Sequence, residues 1–289
     1  MRLRQNDRDG LQLVYSNAAP ERIRRKHSAN TGSSQQLLQE QIASISAERD
    51  SLQRSLFEAA QVQRRLCSRH RVRDEQHDVA GELFPVRHLS GDFLCVIKLD
   101  DRKLIGVGDI SGKGLAAGMW LTHLVGMLNS YGRQLSNPAD VAHAMNRELC
   151  QLQSVPLVTL FLCCLSAANE FSYCNAGHPP ALIVRNSGRV ELLKEGGPLL
   201  GAVENATYVC GRASLYAGDN LLGYSDGILE CRDSSGEFFG HDRLAAAAQA
   251  TAAQSANSQL FSVLAAVQDF AGGRSNEDDI ALLVARRLG

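Results

Sequence analysis

Two spacings of apolar residues divide this chain. From Gln35 to Leu66, the residues Leu38, Ile42, Ile45, Arg49, Leu52, Leu56, Ala59, Gln63 and Leu66 fall at alternating steps of four and three. That is a heptad seam with Arg49 and Gln63 as polar interruptions, and no Gly or Pro breaks it. The spacing predicts one helix, roughly 48 Å long at about 1.5 Å per residue. Such a stripe packs either on its own domain or on a second copy. The narrow seam and its Gln, Glu and Arg flanks favour a parallel homodimer through residues 35–66.

Beyond Val79 the pattern is strands, two helices, many strands, two helices and a last strand. Phe93–Leu99 and Leu104–Val107 read as the arms of a hairpin, being rich in aliphatic and β-branched residues. Leu115–Tyr131 and Pro138–Leu152 read as helices, the second entered through Asn137-Pro138. Strand-like runs follow at 157–165, 171–175, 181–185, 189–193, 207–215 and 219–224, several joined by Gly-containing turns. Helical spacing resumes at Asp242–Ala253 and Ser258–Phe270, and Ile280–Arg286 closes as an apolar strand. Strands in runs and helices in pairs predict an α+β fold with antiparallel sheets. Three parts are expected: a basic tail or linker at 1–34, a dimerising helix at 35–70 and a domain at 78–289.

Charge sharpens that division. The first 75 residues carry 14 Lys/Arg against 9 Asp/Glu, which leaves 16 against 22 for the rest. A net charge of −1 gives a nucleic-acid role no support. The eight cysteines are scattered, form no Cys-x-x-Cys, and sit mostly in apolar runs, as expected of a reduced, cytoplasmic protein. No apolar run is long enough to span a bilayer, so no membrane partner is expected. Cys67–Arg73 matches the Cys-x5-Arg spacing of cysteine phosphatases, but the loop is bulky and glycine-free. Backbone N–H groups could not converge there on a phosphate, and the segment reads as the frayed end of the coil.

The acidic main body carries the candidate chemistry. Asp92 opens the hairpin in Ser-Gly-Asp-Phe, and Asp109 closes it in Gly-Asp-Ile-Ser-Gly-Lys-Gly. Asp226 ends the apolar run Leu221–Ser225 before Gly227, and Asp278 stands just before Ile280–Arg286. Each alone reads as a turn former or helix cap. Four at strand ends, gathered on one edge, would repel one another unless cations neutralise them. Oxygen ligation without a paired His or Cys selects Mg²⁺ or Mn²⁺. Two such ions suit attack of water on a phosphate ester.

Six motifs in order then resemble one family: Ser-Gly-Asp-Phe (90–93), Gly-Asp-Ile-Ser-Gly-Lys-Gly (108–114), Asn-Ala-Gly-His-Pro-Pro (175–180), Gly-Gly-Pro-Leu-Leu-Gly (196–201), Tyr-Ser-Asp-Gly-Ile-Leu-Glu (224–230) and Asp-Asp-Ile-Ala-Leu-Leu-Val (278–284). They resemble the SpoIIE/RsbU-type phosphatases of the bacterial PPM superfamily. The resemblance implies a four-layer αββα sandwich and two Mn²⁺ or Mg²⁺ ions. It implies metal ligation by Asp92, Asp109, the carbonyl of Ile110, Asp226 and Asp278, with Asp279 ranked second. It further implies a phosphoserine or phosphothreonine substrate, on an anti-sigma-factor antagonist of the STAS fold. No sensor domain is recognisable, so an upstream activator or sensor is expected as a further partner.

Other residues in these motifs have plainer readings. Lys113 is a phosphate-steering charge or a solvated turn lysine. His178 and Asn175 read as structural members of a tight turn, and Ser225 as support for Asp226. The sequence departs from the family pattern at Leu94-Cys95, where Tyr-Asp is common, and at Ala281, where Thr is common. It also shortens the hairpin at Ala167–Phe171. These departures favour a second reading, a pseudophosphatase that grips its partner without turnover; the intact aspartates favour the enzyme.

Overall fold

The computed structural model describes residues 21–67, 69–112, 114–152 and 155–289, with side chains from Ser34 onward except that of Arg69. The chain divides into two units, Met1–Arg54 and Ser55–Gly289. Helix α1 spans Glu21–Cys67. It begins well before the seam, so the described part of the expected linker is helical. Arg, Lys and Glu sustain a helix there, and one Gly costs only about 1 kcal/mol; residues 1–20 lie outside the described residues. Within Met1–Arg54 the seam residues Leu38, Ile42, Ile45 and Leu52 are 57–66% exposed.

The second unit holds β1 (Arg69–Arg73), β2 (His77–Phe84), β3 (Phe93–Lys98), β4 (Arg102–Ile110), α2 (Leu115–Gln134), α3 (Pro138–Gln151), β5 (Val158–Ser166), β6 (Glu170–Ala176), β7 (Ala181–Val184), β8 (Val190–Leu193), β9 (Gly196–Gly197), β10 (Gly211–Ser214), β11 (Asn220–Tyr224), α4 (Asp226–Leu229), α5 (Gly240–Ala250), α6 (Ala256–Ala271) and β12 (Ile280–Arg287). One sheet runs β1-β2-β12-β11-β7-β8 and the other β10-β6-β5-β4-β3. Every ladder is antiparallel except the short β6–β9 pairing. The unit starts earlier than the expected 78, because β1 pairs with β2 and Cys67 is fully buried. Cys67 is therefore a helix end and residues 69–73 an edge strand, not a frayed coil. Burial pushes the Cys67 thiol up to about 12, which leaves it inert as a nucleophile.

Period-two alternation places three apolar layers. Along β12, Ala281, Leu283 and Ala285 face the gap between the sheets with Val107, Phe161 and Cys163. Ile280, Leu282 and Val284 face the other way, onto Leu260, Val263 and Val267 of α6. On the second sheet, Val158, Leu160 and Leu162 of β5 pack against Leu121, Leu124 and Met145 of α2 and α3. Both faces of both sheets are covered, which is why the strands read as near-continuous apolar runs. The order is helices, sheet, sheet, helices, as expected. The departures Leu94, Cys95 and Ala281 are all buried apolar positions of these layers.

A cationic cluster closes one corner. Lys103 Nζ lies 2.5 Å from Asp74 Oδ2 and 3.3 Å from His77 Nδ1, while Arg287 Nη1 lies 3.3 Å from His77 Nε2. Burial first, then the two cations, lowers His77 to about 4 from its ordinary 6.5. The unfolded chain therefore takes up this proton at a higher pH than the folded one. The resulting stability is present above about pH 6.5 and is lost as pH falls towards 4. In urea titrations, wild type is expected to lose about 1–3 kcal/mol more than His77→Gln across that window. Equal losses would show that the imidazole does not titrate there.

Candidate metal centre

Strand ends from both sheets meet at one edge. Asp92 precedes β3 and Asp109 lies near the end of β4, bringing two carboxylates from the first hairpin. Asp226 begins α4 directly after β11, and Asp278 precedes β12, its ladder partner. Asp92 is buried, and its Oδ2 has no hydrogen-bond partner among the described residues. Burial, then the charge of Asp109, drives Asp92 well above the carboxylate range. Asp109 is pushed up to about 6 by burial and by Asp226 and Asp278. Asp226 is raised by burial, then by Asp278 and Glu230. The strain common to all three is negative charge held close in a poorly solvated place.

Local chemistry explains the convergence. Gly91 leaves room where a Cβ would fall 2.9 Å from Ile110 O and 3.1 Å from Asp109 Oδ1. Gly91 O in turn accepts from Ile110 N at 3.2 Å. Gly227 lets α4 start against the backbone of Asp279, whose carbonyl a Cβ would overlap. Ser225 Oγ accepts from Ala281 N at 2.9 Å and donates to Asp279 O at 3.4 Å. It thus ties the two metal-edge strands together.

Asp279 is turned elsewhere. Its Oδ1 accepts from Val86 N at 2.7 Å, and its Oδ2 accepts from Ser90 Oγ at 2.7 Å and Gly91 N at 3.1 Å. With both oxygens engaged, Asp279 anchors the loop before Asp92, which separates it from its neighbour Asp278. His178 is structural, as expected. Its Nε2–H donates to Tyr224 O at 3.1 Å, so Nδ1 accepts from Thr159 Oγ1 at 2.8 Å. Burial lowers its pKa to about 3, and reciprocal bonds with Asn175 close the turn. Thr159 was not singled out from sequence, since nothing marks a strand threonine as a histidine's partner. Lys113 lies outside the described residues.

The donor set fits hard divalent cations. Asp92, Asp109 and Asp226 have no ion pair among the described residues, and an orphaned carboxylate oxygen faces inward. Among those residues, no three acidic, His or Cys side chains enclose a single ion unaided.

Known proteins are similar to this chain. The family model for stage II sporulation protein E (SpoIIE) matches residues 100–288. Protein IcfG of Synechocystis sp. is 28% identical over 247 residues, covering 74% of this chain but 38% of its own length. Phosphoserine phosphatase RsbU of Bacillus subtilis is 26% identical over 234 residues, covering 79% of this chain and 69% of its own. The SiaA-PP2C domain of Pseudomonas aeruginosa superposes with a TM-score of 0.72 at 20% identity, covering 84% of this chain and 99% of that one. Fold and motifs define the class as a SpoIIE/RsbU-type phosphatase of the PPM superfamily. The chain belongs to the SpoIIE family.

Proposed function

We propose that this chain is a metal-dependent protein serine/threonine phosphatase acting on a phosphoserine or phosphothreonine. The observation that carries the reading is the convergence of Asp92, buried with an unpartnered Oδ2, and the half-buried Asp109 and Asp226 where strands of both sheets end. Asp92, Asp109, Asp226, Asp278 and the Ile110 carbonyl would hold two Mn²⁺ or Mg²⁺ ions. When bound, such ions lower the pKa of water and neutralise phosphoryl oxygens. The chain's own part is orientation: Ser225 joins the strand end before Asp226 to Ala281, His178 braces that strand end, and Asp279 fixes the loop before Asp92. A pocket of about 240 Å³ opens beside Asp278, lined by Glu230, Arg232, Arg274 and Asn276 among others. It is wide enough for substrate side chains flanking the phosphate. Manganese-dependent phosphate release from p-nitrophenyl phosphate and from a phosphoserine peptide tests the reading; metal binding without turnover favours the pseudophosphatase.

The regulatory setting belongs to the same proposal. RsbU is a phosphoserine phosphatase by name, which supports a phosphoserine substrate; the substrate proposed with it is a regulatory phosphoprotein, an anti-sigma-factor antagonist of STAS type. An upstream activator would act through the N-terminal helix. No helix among the described residues is long and apolar enough to cross a membrane, in keeping with a cytoplasmic setting. The exposed Leu38, Ile42, Ile45 and Leu52 support a parallel homodimer through 35–66. Sedimentation equilibrium is expected to give a dimer for wild type and a monomer for Ile42→Lys/Leu52→Lys; a wild-type monomer would contradict the coil.

A further inference from the structure

The last two turns of α1 leave the seam. Ala60, Gln63 and Cys67 are buried at 7, 5 and 0% exposure, whereas Val62 and Leu66 are 57 and 40% exposed. A glutamine at an apolar seam position reads as an interruption, but here both ends of its amide are bonded. Gln63 Nε2 donates to Ser90 O at 2.8 Å, and its Oε1 accepts from Ser90 N at 3.0 Å. One side chain thus takes both backbone groups of a single residue. Such a two-point hold fixes orientation as well as distance.

Ser90 lies two residues before Asp92 and is held from two further sides. Asp279 takes the Ser90 hydroxyl and the Gly91 N–H, while Ile110 N donates to Gly91 O. The fully buried Cys67 packs in the core one turn beyond Gln63, and its Sγ donates to Gln63 O at 3.1 Å. A shift of α1 by one residue, about 1.5 Å, would break both amide bonds.

We infer that Gln63 is a positioning residue for the metal edge: its amide sets the Ser90–Asp92 backbone, and so the Asp92 carboxylate and the Ile110 carbonyl. The inference rests on the metal-centre reading proposed above. Partners that orient metal ligands typically contribute about 10–100-fold in metal affinity. Through Gln63, the seating of the last turns of α1 becomes linked to metal occupancy.

The test uses the full chain with Gln63→Met, which keeps the length and helix preference but makes neither bond. Gln63→Glu, which keeps the acceptor for Ser90 N, serves if the first variant fails to fold. Val62→Ala, exposed one residue away, is the control. Calorimetric Mn²⁺ titration is paired with hydrogen exchange of the 88–92 amides without metal. The expected result is a Kd for Mn²⁺ about 10–100-fold weaker in Gln63→Met, smaller weakening in Gln63→Glu, faster exchange at Ser90 and Gly91, and no change in Val62→Ala. A lower melting temperature with wild-type Mn²⁺ affinity would reduce Gln63 to a structural role and overturn the inference. If wild type binds no Mn²⁺, the metal reading itself fails and takes the inference with it. Faster exchange at Ser90 would then still report the hold, which distinguishes the two failures.

Discussion

Asp226→Asn is expected to abolish metal-dependent hydrolysis while leaving the metal-free protein as stable as wild type or more so. The two effects have one cause. Asp226 is half-buried, and its pKa is raised by that burial first and then by the neighbouring charges of Asp278 and Glu230. Neutralising it without changing its shape removes repulsion from the metal-free state. The same change removes a ligand, and metal ions supply several kcal/mol of transition-state stabilisation. At about 1.36 kcal/mol per decade, that corresponds to roughly a thousandfold loss in kcat/KM. Phosphate release with and without Mn²⁺, beside thermal melts without metal, reads both halves. A variant that is inactive because it is unfolded would melt lower, and retained Mn²⁺-dependent turnover would remove Asp226 from the site.

Gly227→Ala is the second large effect, and it acts through the backbone. A Cβ at this position overlaps the carbonyl oxygen of Asp279, and backbone cannot move aside as a flexible side chain can. Gly227 immediately follows Asp226, and Asp279 lies between Asp278 and β12. Relief therefore separates the two strand ends that carry these ligands. Forced overpacking costs about 1–3 kcal/mol and sometimes more. Because the strain falls between ligands, Mn²⁺-induced stabilisation should shrink far more than baseline stability. Gly188→Ala is the contrast: it has an unfavourable positive φ, yet open space around it and a place in the β7–β8 turn away from the ligands. It should lower the melting temperature and leave the Mn²⁺-induced shift intact. Equal Mn²⁺-induced shifts in both variants would contradict the close approach at Gly227 as a determinant of the site.

Much of this was legible along the chain, for reasons that have physical content. Strands covered on both faces give long apolar runs, and β5, β11 and β12 were readable within a residue or two. The capped entry Asn137-Pro138 marked α3, whose Asn137 side chain accepts from Ala139 N at 3.0 Å. The repeated setting of an aspartate at a strand end marked Asp92, Asp109, Asp226 and Asp278 as a set.

What stayed hidden depends on contacts distant in sequence. β1 reads Arg-His-Arg-Val-Arg, with no apolar alternation, because it is an edge strand whose ladder serves only β2. Asp279 differs from Asp278 only in which way it turns, and that is set by a loop nearly two hundred residues earlier. Gln63 looked like a flaw in a seam because its partner, Ser90, lies beyond a strand hairpin. Polar side chains that bond to backbone carry no periodic mark, so their roles emerge only when the fold brings the partners together.

Calorimetric titration of Mn²⁺ into the wild-type chain at neutral pH tests the central claim most directly. Two ions per chain, reduced in Asp109→Asn, is the result this account predicts. Failure of the wild-type chain to bind any divalent cation would contradict it.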